Sequence, residues 1–457
     1  MYLLAGFNAT MFEGFRNEGF EIGAWIQIVE KHQKLVKPED VETISWRDFT
    51  LCKVPHTFAA DMDPAFAKRV RERAYPYFIR MQDRMYWYNF ERTDTWLDTV
   101  NLLESMIHYF YALIKRNDIS TVISTNVPHE GPHIILHFVA QELGIESILT
   151  TQSLVPNAFW IIKDIEDFGY FQTGFPKTGV SLPVKKEPQR PFYMANVQRS
   201  TSSEYLKFLM KYLPKIGLNF LPYLLGFRKR SFKKSLFKLD QKRRVRQILN
   251  SINYDTPKEG ERFIYFPLHL QPEMTTDALG HEYCDQLLAL EELLRKVPED
   301  VYIYVKENPK QSGQMREASF FKRLQALPRV RYLPREVNSF DLIKESLAVA
   351  TITGTAGWEA LQMGKPVITF GSAWYRSLHG SFEWSDTFKF EDVLSFEFDY
   401  TKLEAGTVWL SQYLREGIVD PVYSVLKEDY DASDNARIVA REVLEFIAET
   451  QKKDQLN

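Results

Sequence analysis

The chain has 457 residues, 45% of them hydrophobic and 26% charged, with a formal net charge of −3. That length exceeds one ordinary core and implies two domains, and the composition excludes a disordered or collagen-like chain. Its two cysteines, Cys52 and Cys284, are too few for a disulfide framework or a cysteine metal site, which fits a reducing compartment.

The opening MYLLAGFNATMFEGF lacks a basic n-region, and nothing in the chain reaches the ~20 apolar residues of a membrane span, so a cytoplasmic protein is expected. Tyr2 to Phe7 predicts a strand, residues 11–17 a short helix and residues 21–29 a second strand. Residues 46–55 read as irregular. Residues 64–117 carry helical periodicity and exposed aromatics, among them Tyr75, Tyr77, Tyr86, Trp87 and Tyr88. Ile119 to Ser124 is a clear strand, followed by the loop TNVPHEGP at 125–132. A helix from His133 to Leu143 ends at Gly144, placed as a left-handed cap, and a strand follows from Ile145 to Thr150. This alternation predicts a parallel sheet with helices on its faces.

Between Glu204 and Arg246 the pattern breaks. That segment holds 13 Lys and Arg against two acids, a local charge of +11 that leaves −14 for the rest of the chain. Phe208, Tyr212, Phe220, Tyr223, Phe227 and Phe232 are interleaved with the cations. Basic and aromatic residues on helical stretches suit an anionic membrane surface, with Arg228, Lys229, Arg230, Lys233 and Lys234 as the expected headgroup contacts. An interdomain helical insert with a solvated basic face is the plainer alternative. No recognition motif supports nucleic acid as a partner.

A second α/β unit begins at Arg262. Strands are expected at 263–266, 301–305, 330–333, 348–352 and 367–370, with helices at 283–296, 317–327, 339–346 and 358–363. The stretch VATITGTAGWEALQMGKPVITFG, residues 349–371, is a compact strand–turn–helix–strand unit. Small residues in its turn let backbone N–H groups approach a ligand, and the helix start behind it favours an anion. Thr353, Gly354, Thr355 and Gly357 are therefore candidate phosphate contacts, and Glu359, one turn in, a candidate acceptor for ribose hydroxyls. His269 and Lys306, at the ends of two neighbouring strands, are candidate cations for the same phosphate. In the first half His129, Glu130 and His133 of PHEGPH offer a general base. HIILH places His133 and His137 one turn apart but lacks the glutamate of H-E-x-x-H, so no metal site is expected. Beyond Tyr375 the chain reads as less regular, up to a last amphipathic helix at about 434–450.

FPLHLQPEMTT, VYIYVKENP and TITGTAGWEALQMGKPVITFG, in this order and spacing, resemble the bacterial capsule and surface polysaccharide biosynthesis proteins, relatives of Kdo and sialic acid transferases of GT-B architecture. The resemblance covers residues 260–385 and, more loosely, 120–153. It implies two Rossmann-like parallel-sheet domains facing across a cleft, with a basic helical insert between them. The corresponding boundaries are 1–195, 196–255 and 256–385, with a C-terminal helical segment at 386–457. It further implies a nucleotide-sugar donor held by the second domain, CMP-sugar favoured and UDP-sugar possible, with no tightly bound cofactor. The acceptor would be a lipid-linked or oligosaccharide chain at the inner membrane face. Glu359 matches the family's ribose-binding glutamate, and Thr353 and Thr355 its Ser/Thr phosphate site. Where relatives read Lys-Glu-His-Pro this chain has Asn308, which can hydrogen-bond a donor phosphate but cannot carry charge or transfer a proton. Two other activities share this fold and pattern: a UDP-sugar 2-epimerase, and a non-catalytic scaffold subunit of an assembly complex.

Overall fold

A computed structural model describes residues 1–29, 33–82, 95–177, 179–188, 202–227, isolated positions between 232 and 248, and then 252–311, 316 and 318–456. Six strands of the first domain follow the chain: β1 (Tyr2–Phe7), β2 (Ile22–Gln27), β3 (Glu42–Ser45), β4 (Thr121–Thr125), β5 (Glu146–Gln152) and β6 (Ala158–Ile162). They lie in the order β3-β2-β1-β4-β5-β6, parallel except for β6. β1 and β2 are almost wholly buried, as strands covered on both faces must be. Helices Pro64–Arg80, Trp96–Arg116 and Gly131–Glu142 share one core with one face of the sheet. The middle helix starts at a capping box, in which Thr95 and Asp98 satisfy each other's backbone N–H groups.

The second sheet consists of β7 (Phe263–Pro267), β8 (Tyr302–Lys306), β9 (Val330–Leu333), β10 (Ala348–Thr351), β11 (Val367–Thr369) and β12 (Ser381–Glu383). Their order is β9-β8-β7-β10-β11-β12, all parallel. Counted from its own first strand, this is the 3-2-1-4-5-6 arrangement of the doubly wound dinucleotide fold. The first sheet repeats 3-2-1-4-5 and then turns its sixth strand over. Each sheet therefore has a switch point, between β1 and β4 in one and between β7 and β10 in the other. Loops leaving the carboxyl ends on either side of such a point diverge and open a crevice.

Three expectations change. Residues 46–55 are not wholly irregular, because β3 feeds a helix, Trp46–Thr50, capped by Ser45. Past Tyr375 the chain forms β12, helices Phe390–Leu394 and Tyr400–Ser411, and one more strand, Leu414–Glu416. The segment 386–457 is also not a separate unit. Strand Leu414–Glu416 pairs antiparallel with β6 of the first sheet. Helix Ala432–Leu456 then packs Val439, Val443 and Phe446 against Phe12 and Phe15 of helix Ala9–Asn17. The chain thus returns to its first domain and covers that sheet's second face. The domains also meet where Arg376 donates to the Glu166 carbonyl, Ser377 donates to the Gly169 carbonyl at 2.6 Å and Trp374 stacks near Trp160. One apolar cluster is continuous through that junction. Of the basic segment, helix Ser202–Leu224 is described, whereas Arg228, Lys229, Arg230 and Lys234 lie outside the described residues.

Candidate active site

At the first switch point the chain leaves β4 through Asn126, in the left-handed region at φ 76°, and enters helix Gly131–Glu142. Glu130 is the cap residue of that helix and is 2% exposed. His129 Nε2 lies 3.4 Å from Glu130 Oε1, and His133 Nδ1 lies 3.9 Å from Oε2. His129 Nδ1 is 2.8 Å from the Val127 carbonyl, so Nδ1 carries a proton and donates it. That leaves Nε2 facing a carboxylate, acceptor against acceptor, unless a further proton lies between them. His133 is fully buried beside Trp46 and Phe49, and burial pushes its pKa down against the opposing pull of Glu130. It is a neutral ring packed between Glu130 and the Trp46 and Phe49 rings. His137, one turn on, is held by Ser147 at 2.8 Å with its pKa pushed down to about 3 by burial. It belongs to the core.

The second switch point is built differently. Thr353 N–H donates to His269 Nε2 at 3.1 Å, and the Thr353 hydroxyl donates to the Thr275 carbonyl at 2.8 Å. Gly354 N–H donates to Thr351 Oγ1 at 3.2 Å, and Tyr375 donates its hydroxyl to the Gly354 carbonyl at 2.6 Å. Any Cβ at Gly354 would meet His269 Nε2 at 2.8 Å, and one at Gly357 would meet the Tyr375 oxygen at 2.1 Å. Both glycines are required by close packing of the turn on these two rings. Beyond the turn, Gly354 caps helix Thr355–Gln362, and no side-chain cap is made. Thr355 and Ala356 are half-buried at the helix start, and burial raises the phenol pKa values of Tyr265 and Tyr375, with nearby Glu359 adding to both.

Three residues expected to meet a donor phosphate have other work. His269 is 6% exposed, and burial together with nearby Arg316 pushes its pKa down to about 3. It is neutral, and it accepts a backbone N–H rather than offering charge. Lys306 Nζ donates to the Val337 carbonyl at 2.8 Å and to the Ser339 hydroxyl, so its charge is bound within its own domain. Asn308 accepts from Lys310 N–H at 2.9 Å, forming a side-chain turn that shapes the loop after β8. The sequence reading missed the residue that organises them. Arg316, 1% exposed, pairs with buried Glu307 at 2.8 Å and donates to the His269 carbonyl at 2.5 Å and to Gln271 at 3.1 Å. An arginine in a polar run reads as solvated, and nothing in its spacing marks it as buried. Tyr375 and Trp46 were equally silent, since an aromatic residue after a strand reads as core. Among the described residues no group of three or more His, Cys, Asp or Glu is placed to hold a metal ion.

Two doubly wound domains, each with a polar switch point and with the C-terminal helix returning to the first, define a GT-B-like α/β protein. Residues 227–380 match the family model described as capsule polysaccharide biosynthesis protein, about a third of the chain, running from the basic segment through the second switch point. No curated protein matches the chain. Among solved structures, the Thermosulfurimonas dismutans KpsC beta Kdo 2,7 transferase is 13% identical, with TM-score 0.33, covering 74% of this chain and 88% of its own. The beta Kdo 2,4 transferase of the same KpsC is 14% identical, with TM-score 0.32, covering 65% and 82%. Methanocaldococcus jannaschii UDP-GlcNAc 2-epimerase, solved with UDP-GlcNAc and UDP, is 10% identical, with TM-score 0.27, covering 97% and 100%. The strand orders, and not these distant likenesses, carry the fold assignment.

Proposed function

We propose that the chain is a glycosyltransferase of capsular or surface polysaccharide synthesis. It takes a sugar from a nucleotide-sugar donor and passes it to a growing polysaccharide or glycolipid at the inner face of the cytoplasmic membrane. The observation that carries this reading is that each sheet places a chemically distinct polar site at its own switch point. The helix start at Thr355 and Ala356 receives the donor phosphate, because its N–H groups and helix dipole favour an anion that gains charge as the sugar leaves, whereas Gly357 N–H is donated to the Gly354 carbonyl at 3.0 Å. Thr355 adds a hydroxyl, and Glu359 takes the ribose. Thr353 and Gly354 contribute by fixing the turn. CMP-sugar is the favoured donor and UDP-sugar the next. At the first switch point Glu130 removes the acceptor hydroxyl's proton as the new glycosidic bond forms, with His129 its competitor for that role.

The test is incubation of the protein with CMP-, UDP- and GDP-sugars, with and without oligosaccharide acceptors, read by mass spectrometry. Acceptor-dependent sugar transfer is the expected result. Epimerised or hydrolysed donor in the absence of acceptor would replace this reading with an epimerase. Nucleotide binding without turnover on any donor would leave a scaffold subunit.

A further inference from the structure

Helix Ser202–Leu224 is 23 residues long. From residue 209 onward, half-burial recurs at Leu209, Tyr212, Ile216, Asn219 and Tyr223, a helical spacing. Another arc is apolar and open: Met210, Leu213, Leu221 and Leu224, and beyond them Leu225 and Phe227, are each more than half exposed. A chain of this composition does not leave such a stripe bare without a partner. Gly226 lies at φ 84°, and the Phe232 ring stacks on Tyr223 at 4.5 Å. No described helix is long and apolar enough to cross a membrane.

We infer that the end of this helix, through Phe227, inserts its apolar arc into the interfacial layer of an anionic bilayer. The inference rests on the proposed membrane-face function only for where the acceptor lies; the surface itself is argued from exposure and charge. In sequence the apolar tip runs directly into Arg228, Lys229 and Arg230, within a segment carrying 13 cations against two acids. Apolar side chains at acyl depth with a basic collar among phosphate headgroups satisfy both halves of that composition. A second copy of the same surface satisfies only the apolar half, because it would bring two strongly cationic segments together. The remaining −14 of charge is repelled by the same membrane, so the protein meets it in one orientation.

Vesicle co-sedimentation of the full chain tests this, using phosphatidylcholine alone and phosphatidylcholine with 30% phosphatidylglycerol. Wild type should bind the anionic vesicles, and the exposed-site triple variant Leu224→Gln, Leu225→Gln, Phe227→Gln should bind them about 10²-fold more weakly. Neutralising Arg228, Lys229, Arg230, Lys233 and Lys234 should abolish binding at low salt. Phe227→Trp should shift its emission to the blue on anionic vesicles, which adsorption by charge alone would not cause. Undiminished binding of the triple variant overturns insertion. So does concentration-dependent dimerisation of wild type that the triple variant removes, since it hands the arc to a second copy. Nucleotide binding, measured on the same variants, should be unchanged. A failure confined to vesicles therefore condemns this inference and leaves the transferase reading standing.

Discussion

The two switch points occupy equivalent places in two sheets of the same strand order, yet they use ionisable residues in opposite ways. In the first, His129 and Glu130 are packed on each other, with His129 Nδ1 donating to the Val127 carbonyl of the same loop. In the second, His269, Lys306, Glu307 and Arg316 are bonded to a backbone N–H, to backbone carbonyls, to a neighbouring hydroxyl and to one another, and they form the frame of the turn. A charged residue at a strand's carboxyl end is therefore not by itself a ligand contact. What decides is whether its donors and acceptors are already committed inside the domain.

The largest expected contrast is between Glu130 and Arg316. Glu130→Gln keeps shape and hydrogen-bonding reach but removes basicity. Turnover should fall about 10²–10⁴-fold while nucleotide affinity and the unfolding midpoint stay near wild type. If His129→Ala gives that result and Glu130→Gln does not, the two exchange roles. Arg316→Met should do the reverse. Removing one partner of a buried ion pair strands the other, so unfolding free energy from urea titration should fall by about 3–5 kcal/mol. An Arg316→Met protein with unchanged stability would mean that the second switch point has no such internal frame.

A smaller effect separates turn from frame within the second domain. Gly354→Val, whose first side-chain carbon would collide with His269, and Glu359→Ala should each weaken nucleotide binding by roughly 1–3 kcal/mol in calorimetry. Wild-type affinity in both would move the donor site elsewhere. The smallest effect per step is in pH. The pKa values of His133, His137 and His269 are lowered by burial, the last two to about 3, whereas an unfolded histidine titrates near 6.5. Below pH 6.5 the unfolded chain binds protons that the folded chain refuses. The stability these neutral rings contribute is complete above that pH and is lost as pH falls toward 3, by at most about 1.4 kcal/mol per pH unit for each ring. The urea midpoint should drop between pH 7.5 and 5, and the drop should be shallower in His269→Gln. An identical drop in that variant would mean that His269 takes up a proton in the folded state as readily as in the unfolded one.

Much of this was legible in the sequence where burial is two-sided and turns are marked. Phe263 to Phe370 reads strand by strand, because each parallel strand is a continuous apolar run and Gly354, Gly364 and Pro366 punctuate the turn and the helix end. The polar loop that holds Glu130 and His129 was also legible, because it follows a clear strand. Two of the elements that escaped are edges. β3 is four half-buried residues, Glu-Thr-Ile-Ser, with no alternation to detect. The strand Leu414–Glu416 carries Arg415, which is buried by donating to the Phe175 carbonyl at 2.6 Å, and no local pattern announces a pairing with β6 some 250 residues earlier. The return of the last helix to the first domain is likewise a tertiary fact. Its amphipathic face is legible, but what covers that face is not.

The central claim is a division of labour: the second switch point holds a nucleotide and the first does the proton transfer. A thermal-shift titration of CMP, CDP, UDP and GDP against wild type, Glu130→Gln and Glu359→Ala tests it most directly. A ligand at 100 times its dissociation constant adds about 2.7 kcal/mol of stability, which is readily visible as a shift in midpoint. At least one nucleotide should stabilise wild type and Glu130→Gln equally and Glu359→Ala much less. Stabilisation lost in Glu130→Gln and kept in Glu359→Ala would place the nucleotide in the first domain and contradict the account.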